Sequence, residues 1–504
     1  MTTTALDSIA ARGASRSPDK PAIVVPGGGA LTYAELHRGA SRFAGSLVAR
    51  GAKAGDRLIL TNVNTPEFFV ALFGAARAGL VAVPLDPGLA AAELRNLLAH
   101  ARPHAVVVDA RSAPVFEPLG APLLAAHDHE SADAPGPSSP ARTVDAGAPA
   151  LVLYTSGTTG TPRGALHSHA GVLRKVEAIR AWFGLGEADS ALCMLPTHFG
   201  HGLVSSCLSA LNFGGTLVLC RPFDVELLPR VFALADEHGV TTFSSVPTIV
   251  RLMLRNQAIA GPRSGRLRFV TCASAPLHAE ETAAFEARFG VPLLNCYGLT
   301  EAGTWSAMSR DDPDRDRRAV GVASDCQFRA IRRDGDEWTP LPTGEIGELQ
   351  VSGPSIMLGY DRDPDATAAV LRGGWLSTGD LGSVDERGRV FLAGRSKDLI
   401  IRAGANIYPA EIEGVLLRHP DVAEAYVVGL DHAILGETVA ACVVRRKDST
   451  VSDRDLVGHC REVLSPYKCP ETIRFVDSVP KTSRGKVSRA SLKALFASAR
   501  GQPA

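Results

Sequence analysis

At 504 residues the chain is too long for one ordinary hydrophobic core, so two or more domains are expected. Its 45% hydrophobic and 21% charged residues suit a soluble globular protein, and 53 basic against 53 acidic side chains give a formal net charge of zero. That balance removes any electrostatic case for nucleic acid or an anionic membrane as the main partner. The opening MTTTALDSIAARG lacks the basic start and apolar run of a secretory signal. No stretch reaches the roughly 18 uninterrupted apolar residues of a membrane span. Nine cysteines (Cys193, Cys207, Cys220, Cys272, Cys296, Cys326, Cys442, Cys460 and Cys469) are scattered without a CxxC pair. They read as buried thiols in a reducing compartment, and a cytoplasmic protein is expected.

In chain order, Glu35 to Arg50 reads as a helix, followed by a Gly-Asp turn and the apolar run Arg57–Leu60. Pro66 to Ala78 is a second helical pattern, with Leu80–Pro84 as a short buried strand after it. The stretch from His127 to Pro149 is rich in Ala, Pro, Ser, Asp and Gly without a period, and reads as a loop. The helix-then-strand order recurs where Val225–His238 precedes Val240–Ser244. Such alternation predicts α/β layers with largely parallel sheets. From about Gly344 short strands between Gly and Pro (GEIGELQVSG, GRVFLAG) predict a smaller β-rich unit. After Arg395 an α+β pattern follows, with a helix at Ala410–Arg418 and strands around Ala423–Gly429 and Thr438–Arg445. The expected division is a large N-terminal domain, 1–396, and a small α+β C-terminal domain, 397–504, on a hinge.

Chemistry concentrates first in Tyr154-Thr-Ser-Gly-Thr-Thr-Gly-Thr-Pro-Arg-Gly164. The apolar run Ala150–Leu153 feeds into it like a strand ending in a loop. Gly157, Gly160 and Gly164 permit tight turns that aim amides inward. The hydroxyls of Thr155, Ser156, Thr158 and Thr159 and the Arg163 guanidinium add donors. This donor density suits a polyphosphate. The Gly-Lys-Ser/Thr ending of a Walker A loop is absent. A flexible Gly/Thr surface loop is the plain alternative.

The loop resembles the signature of the adenylate-forming superfamily, which includes acyl-CoA synthetases, peptide-synthesis adenylation domains and luciferases. Leu31-Thr-Tyr-Ala-Glu-Leu36 and Ala78–Pro87 are similar to its early structural motifs. Tyr297-Gly-Leu-Thr-Glu301, Ser377-Thr-Gly-Asp380, Gly394-Arg-Ser-Lys-Asp398 and Pro480-Lys-Thr-Ser-Arg-Gly-Lys486 resemble its nucleotide, hinge and lysine motifs, in the family's order.

The resemblance implies ATP, Mg2+ and coenzyme A as cofactors and a small carboxylic acid as substrate. It implies that Glu301 holds Mg2+, a hard ion suited to oxygen ligands, while Thr300 reaches a phosphate oxygen. Tyr297 and Gly298 would meet adenine, with Ala273, Ser274, Ala275 and Pro276 along its edge. Asp380 would accept from the ribose hydroxyls, helped by Arg395, and Lys486 would bridge the substrate carboxylate and the α-phosphate. Lys397 would be the pivot of a rotating C-terminal domain, bringing Ala403 and Gly404 to the thiol tunnel. Each has an ordinary structural alternative: a surface glutamate, a core tyrosine, a turn aspartate, a solvated lysine. Arg163 and Ala403 depart from the family's commoner lysine and glycine.

The acyl slot falls on Leu195-Pro-Thr-His-Phe-Gly-His-Gly202, giving His198, Phe199, His201 and Gly202, with Val246 and Asn295 on other walls. No Asp or Glu lies between Ala191 and Phe223, which leans away from an α-amino acid toward a neutral-bodied acid. The expected enzyme is an acid–CoA ligase, a monomer or homodimer. Loading of a carrier protein and non-catalytic nucleotide binding are the competing readings.

Overall fold

The computed structural model describes residues 5–126, 142–155, 163–312, 314–335, 337–403, 405–480 and 487–497. The motif at Leu31–Leu36 shows how local chemistry starts the fold. Thr32 Oγ1 accepts from Glu35 N at 3.2 Å, and the Glu35 carboxylate accepts from Thr32 N at 2.8 Å. This capping box satisfies orphan amides and starts the helix Tyr33–Ala49 two residues ahead of the sequence expectation. The next residue, Tyr33, is buried and donates its hydroxyl to Gly215 O at 2.8 Å. A second helix, Pro66–Arg77, is capped by Thr65 and carries proline in its first turn. It packs on the first through Phe43, Phe68, Phe69 and Phe73, all fully buried.

Chain contacts divide the protein into two units, the first comprising Met1–Phe328, Val351–Ser377 and Gly388–Val390. It contains two sheets. In one, Ser190–Cys193, Thr242–Ser245, Phe269–Cys272 and Leu293–Leu299 are parallel neighbours, with Thr216–Leu219 and Pro21–Val24 beyond the first of them. In the other, Pro149–Thr155, Val81–Pro84, Arg57–Leu60, Ala105–Val108 and Leu123–Ala125 run parallel. Arg163–Ser168 and Gly359–Tyr360 extend that sheet in antiparallel pairing. The mixed α/β architecture expected from alternating helices and strands is therefore present, and eight of the nine cysteines are buried.

The second unit comprises Arg329–Gln350, Thr378–Arg387 and Phe391–Ala504. Its own core forms where the hairpin of Val422–His432 and Gly436–Arg445 packs on the helix Pro409–Leu417, burying Ile412, Leu416, Val427 and Val439. Two expectations needed correction. The Val225–His238 helix is broken into Leu228–Arg230 and Val231–Glu237, because Pro229 lacks the N–H that a continuous helix needs. The β-rich texture begins before Gly344, with a hairpin pairing 331–334 to 337–340.

Buried charge is confined to few places. Lys175, on the helix His169–Phe183, is 0% exposed and donates to Trp305 O and Asp325 Oδ1, both at 2.7 Å. Ser355 Oγ donates to the other Asp325 oxygen at 2.6 Å. Replacing Lys175 by Met strands a carboxylate in the interior. The expected loss is about 3–5 kcal/mol, read as a lower urea midpoint at unchanged slope, with K175M/D325N recovering part of it.

Two core histidines give a second test. Burial lowers both His167 and His169 from 6.5 to about 4, and they are 2% and 0% exposed. Below pH 6.5 the unfolded chain takes up protons that the folded chain refuses. Their stabilisation is thus complete above that pH and is lost as pH falls toward 4. Chemical denaturation from pH 7 to 4.5 is expected to show falling stability, and His167→Gln should shrink the fall by about 2 kcal/mol.

Candidate active site

Parallel strands deliver the chain after each strand to one edge of the sheet. Four such exits are adjacent here: Ser190–Cys193, Thr242–Ser245, Phe269–Cys272 and Leu293–Leu299. The segments that follow carry His198, Phe199, His201 and Gly202 from the first, Val246 from the second, and Ala273 to Pro276 from the third. Asn295, Tyr297, Gly298, Thr300 and Glu301 come with the fourth. Sequence motifs separated by up to about a hundred positions are thereby gathered by topology alone.

The glycine-rich segment begins where the apolar run predicted, at the end of the strand Pro149–Thr155. Thr155 is the register partner of Arg163, and its Oγ1 donates to Arg163 O at 3.3 Å. The segment thus joins two antiparallel strands, unlike a Walker A loop, which opens a helix. Ser156, Gly157, Thr158, Thr159 and Gly160 lie outside the described residues, as do Gly404 and Lys486. Tyr154, at the root, is 2.8 Å from His100 Nδ1 through its hydroxyl.

Arg163 lies over the ring of Tyr360, 5.7 Å from its centroid. The Tyr360 hydroxyl donates to Glu301 Oε1 at 2.8 Å. Glu301 sits on a short turn, Thr300–Ala302, closed by Gly303 at φ 71°. Its backbone oxygen accepts from Met357 N at 2.8 Å. A hard cation fits a carboxylate oxygen held in place by a phenol donor, and among the described residues no cysteine or histidine is paired with it. Among the described residues no cluster of three or more His, Cys, Asp or Glu competes with it.

In the acyl slot, His201 starts a π-helical segment, His201–Leu208. Its Nδ1 is 2.9 Å from Ser274 Oγ, and its ring meets Trp305 edge-on at 5.1 Å. Desolvation lowers its pKa to about 3, so the ring is neutral at neutral pH. Gly202 is obligatory, since a Cβ there would lie 2.3 Å from Pro196 O. His198 and Phe199 are packed at 4.1 Å between centroids. Ser274 holds a positive φ of 78°, a conformation rarely found outside glycine and asparagine, and so presents its hydroxyl to His201 at the cost of local strain.

The other residues that the motifs assign to the nucleotide have mixed surroundings. Tyr297 is buried, 6.0 Å from the Phe328 ring centroid. Gly298 has a structural reason of its own, because a Cβ would fall 1.7 Å from Thr304 O on the neighbouring strand. Ala273 is buried, whereas Ala275 and Pro276 are exposed. Val246 precedes the helix Pro247–Arg255, and Asn295 O accepts from Ser309 N at 2.9 Å. Within the second unit, Asp380 Oδ1 and Arg395 Nε are 2.7 Å apart. Asp380 N donates to Thr378 Oγ1 at 3.1 Å, within the strand Trp375–Val384, where Gly379 has a φ of 71°. Lys397 is exposed on the turn Ser396–Asp398, and Ala403 has φ 48°.

Three neighbours were not legible as site residues: Tyr360, the Lys175–Asp325 pair and Asp86. Asp86 belongs to Ala78–Pro87, yet its Oδ2 is 3.8 Å from His198 Nε2. A carboxylate therefore does reach the slot that looked free of acid between Ala191 and Phe223. Its only sequence signal was membership of an early motif. A separate cavity of about 650 Å³, lined by Arg12, Arg16, Arg174 and Arg180 among others, contains none of the motif residues.

Comparison with known proteins shows the family. Residues 10–361 match the AMP-binding enzyme family and residues 411–486 match the AMP-binding enzyme C-terminal domain. The chain is 36% identical to sulfoacetate–CoA ligase of Cupriavidus necator, over 95% of each protein. It is 34% identical to feruloyl-CoA synthase of an Amycolatopsis species, over 97% of this chain and 99% of that one. The crystal structure of ATP-bound MatB from Rhodopseudomonas palustris superposes with a TM-score of 0.88 at 32% identity, covering 97% and 99% of the two chains. The chain belongs to the AMP-binding enzyme family, in the adenylate-forming superfamily of acyl-CoA synthetases that its motifs resemble.

Proposed function

We propose that the protein is an ATP-dependent acid–CoA ligase. A carboxylate is a poor acyl donor because its leaving group would be oxide. In the first half-reaction a substrate carboxylate oxygen attacks the α-phosphorus of ATP, and the bond to pyrophosphate breaks. In the second, the CoA thiolate attacks the acyl carbon of the acyl-adenylate, and the bond to AMP breaks. The protein's share in both is orientation and charge stabilisation.

The observation that carries the reading is that Arg163 and Tyr360, from the sheet of Pro149–Thr155, meet Glu301, which follows the strand Leu293–Leu299 of the sheet whose neighbouring strands lead into the acyl-slot segments. Arg163 and the donors of 155–160 hold the phosphates, with Thr300 beside them. Glu301 would hold Mg2+, which when bound supplies positive charge to the phosphate oxygens. Tyr297, Gly298 and the segment 273–276 frame the adenine. Asp380, already paired with Arg395, takes the ribose hydroxyls. Lys486 meets the reacting carboxylate and the α-phosphate. Lys397 is the pivot between the half-reactions, and Ala403 with Gly404 borders the thiol path.

His198, Phe199, His201, Gly202, Val246 and Asn295 surround the acyl body. The neutral His201 and the Trp305 indole N–H, which has no partner among the described residues, favour an organic acid bearing an oxygen acceptor. Sulfoacetate and ferulate, the acids in the names of two relatives, both carry one.

Pyrophosphate release should depend on added acid, and a thioester should form with free CoA. Acyl-adenylate accumulating beside CoA without thioester would point to a carrier-protein acceptor. ATP binding with no acid-dependent pyrophosphate would leave only a nucleotide-binding protein. Lys486→Ala should slow acid-dependent pyrophosphate release by about 100- to 1000-fold, while thiolysis of supplied acyl-adenylate stays near the unmodified rate.

A further inference from the structure

Tyr360 lies outside the motifs quoted above, yet it touches two residues within them. It lies on a two-residue strand, Gly359–Tyr360, whose partner strand begins at Arg163, with Tyr360 opposite Ala165. The backbone is clamped on several sides. Leu358 N donates to Leu166 O and Asp361 N to Gly164 O, both at 2.7 Å. Tyr360 N donates to Thr367 Oγ1 at 2.9 Å. The ring packs against the small cluster of Ala165, Ala302 and Met357. A side chain so held has little rotational freedom left to lose.

From that fixed ring, two contacts of opposite sign diverge. The π-face receives the Arg163 guanidinium at 5.7 Å, within the range of a cation–π attraction. The hydroxyl donates to Glu301 Oε1 at 2.8 Å. Glu301 by itself is a poorly determined ligand, a long side chain on a three-residue turn. Immobilising such a side chain from solution has an entropic cost that weakens whatever it binds. The phenol removes that freedom in advance. It occupies one carboxylate oxygen, Oε1.

We propose that Tyr360 is a positioning residue that couples the cation-holding carboxylate to the phosphate-loop arginine, so that divalent cation and triphosphate bind as one event. This rests on the reading of Glu301 as the Mg2+ ligand. Tyr360 touches neither substrate nor metal. It acts through the two residues on either side of it.

The two contacts separate experimentally. Tyr360→Phe keeps the ring and the cation–π face and removes only the O–H donor, whereas Tyr360→Leu removes both. ATP binding, followed by calorimetry without acid across a series of Mg2+ concentrations, reads the coupling independently of turnover. Y360F is expected to raise the Mg2+ concentration for half-maximal ATP binding roughly tenfold, the usual weight of a hydrogen bond to a charged group. Its affinity for metal-free ATP and its melting temperature should stay near those of the unmodified protein. Y360L should weaken metal-free ATP binding as well. Glu301→Gln is the control for the underlying reading. If E301Q leaves the Mg2+ dependence unchanged, Glu301 is not the ligand and the proposal falls with that reading. If E301Q shifts it and Y360F does not, Glu301 stands and the role of Tyr360 is overturned. The double variant Y360F/E301Q should be no worse than E301Q alone. Additive losses would show two independent effects and would equally overturn the coupling.

Discussion

Everything at the candidate site depends on the direction of four neighbouring strands. Because Ser190–Cys193, Thr242–Ser245, Phe269–Cys272 and Leu293–Leu299 run the same way side by side, their carboxyl ends share one edge. A parallel sheet forces the chain to return by a helix on one face before the next strand starts. Chemistry-bearing residues are therefore spaced far apart in sequence and close together in space. Antiparallel pairing of Leu293–Leu299 with Thr304–Met308 then turns the last exit back on itself, which is where Glu301 stands. The close passage of Gly298 by Thr304 is part of that same turn.

Around this edge the protein manages charge sparingly. Lys175 and Asp325 neutralise each other in the interior and fasten the helix after the glycine-rich segment to the strand carrying Trp305. His167, His169 and His201 are kept neutral by burial, so they contribute shape and hydrogen bonds without adding cations. Two charged side chains are each held: Arg163 by an aromatic face, Glu301 by a phenol. Ordered polar groups of this kind need little rearrangement when a charged ligand arrives, which is the physical content of electrostatic preorganisation.

Much of this was legible before any coordinates. The helix after Thr32 and the strand before Thr155 follow from local rules, capping and an apolar run, that act over a few residues. The motif order led to Glu301, Asp380 and Arg163 because their neighbours in sequence carry the signal. Tyr360 was invisible for the opposite reason. It meets Glu301 across 59 positions, and a Gly-Tyr pair has no local signature. Asp86 sits in a structural motif, and it meets His198 from the end of a strand in the other sheet, a contact that has no local signature. Near Pro229 the apolar period favours one continuous helix, but the proline breaks it into Leu228–Arg230 and Val231–Glu237. Residues 156–160 and Lys486 keep the roles that the motifs imply as proposals, because they fall outside the described residues.

The pairing of Thr155 with Arg163 has a thermodynamic consequence for nucleotide affinity. Bringing the two ends of a loop together carries an entropic penalty of about (3/2)RT ln n for n residues. Here the ladder of the sheet holds those ends opposite one another in the folded chain, so the penalty belongs to folding and is absent from the binding equilibrium. On the proposed reading, an incoming triphosphate meets a segment whose two ends are already anchored. Affinity at such a cradle is then sensitive to the integrity of the sheet several residues away, and a distant edge-strand defect would surface as weakened ligand capture.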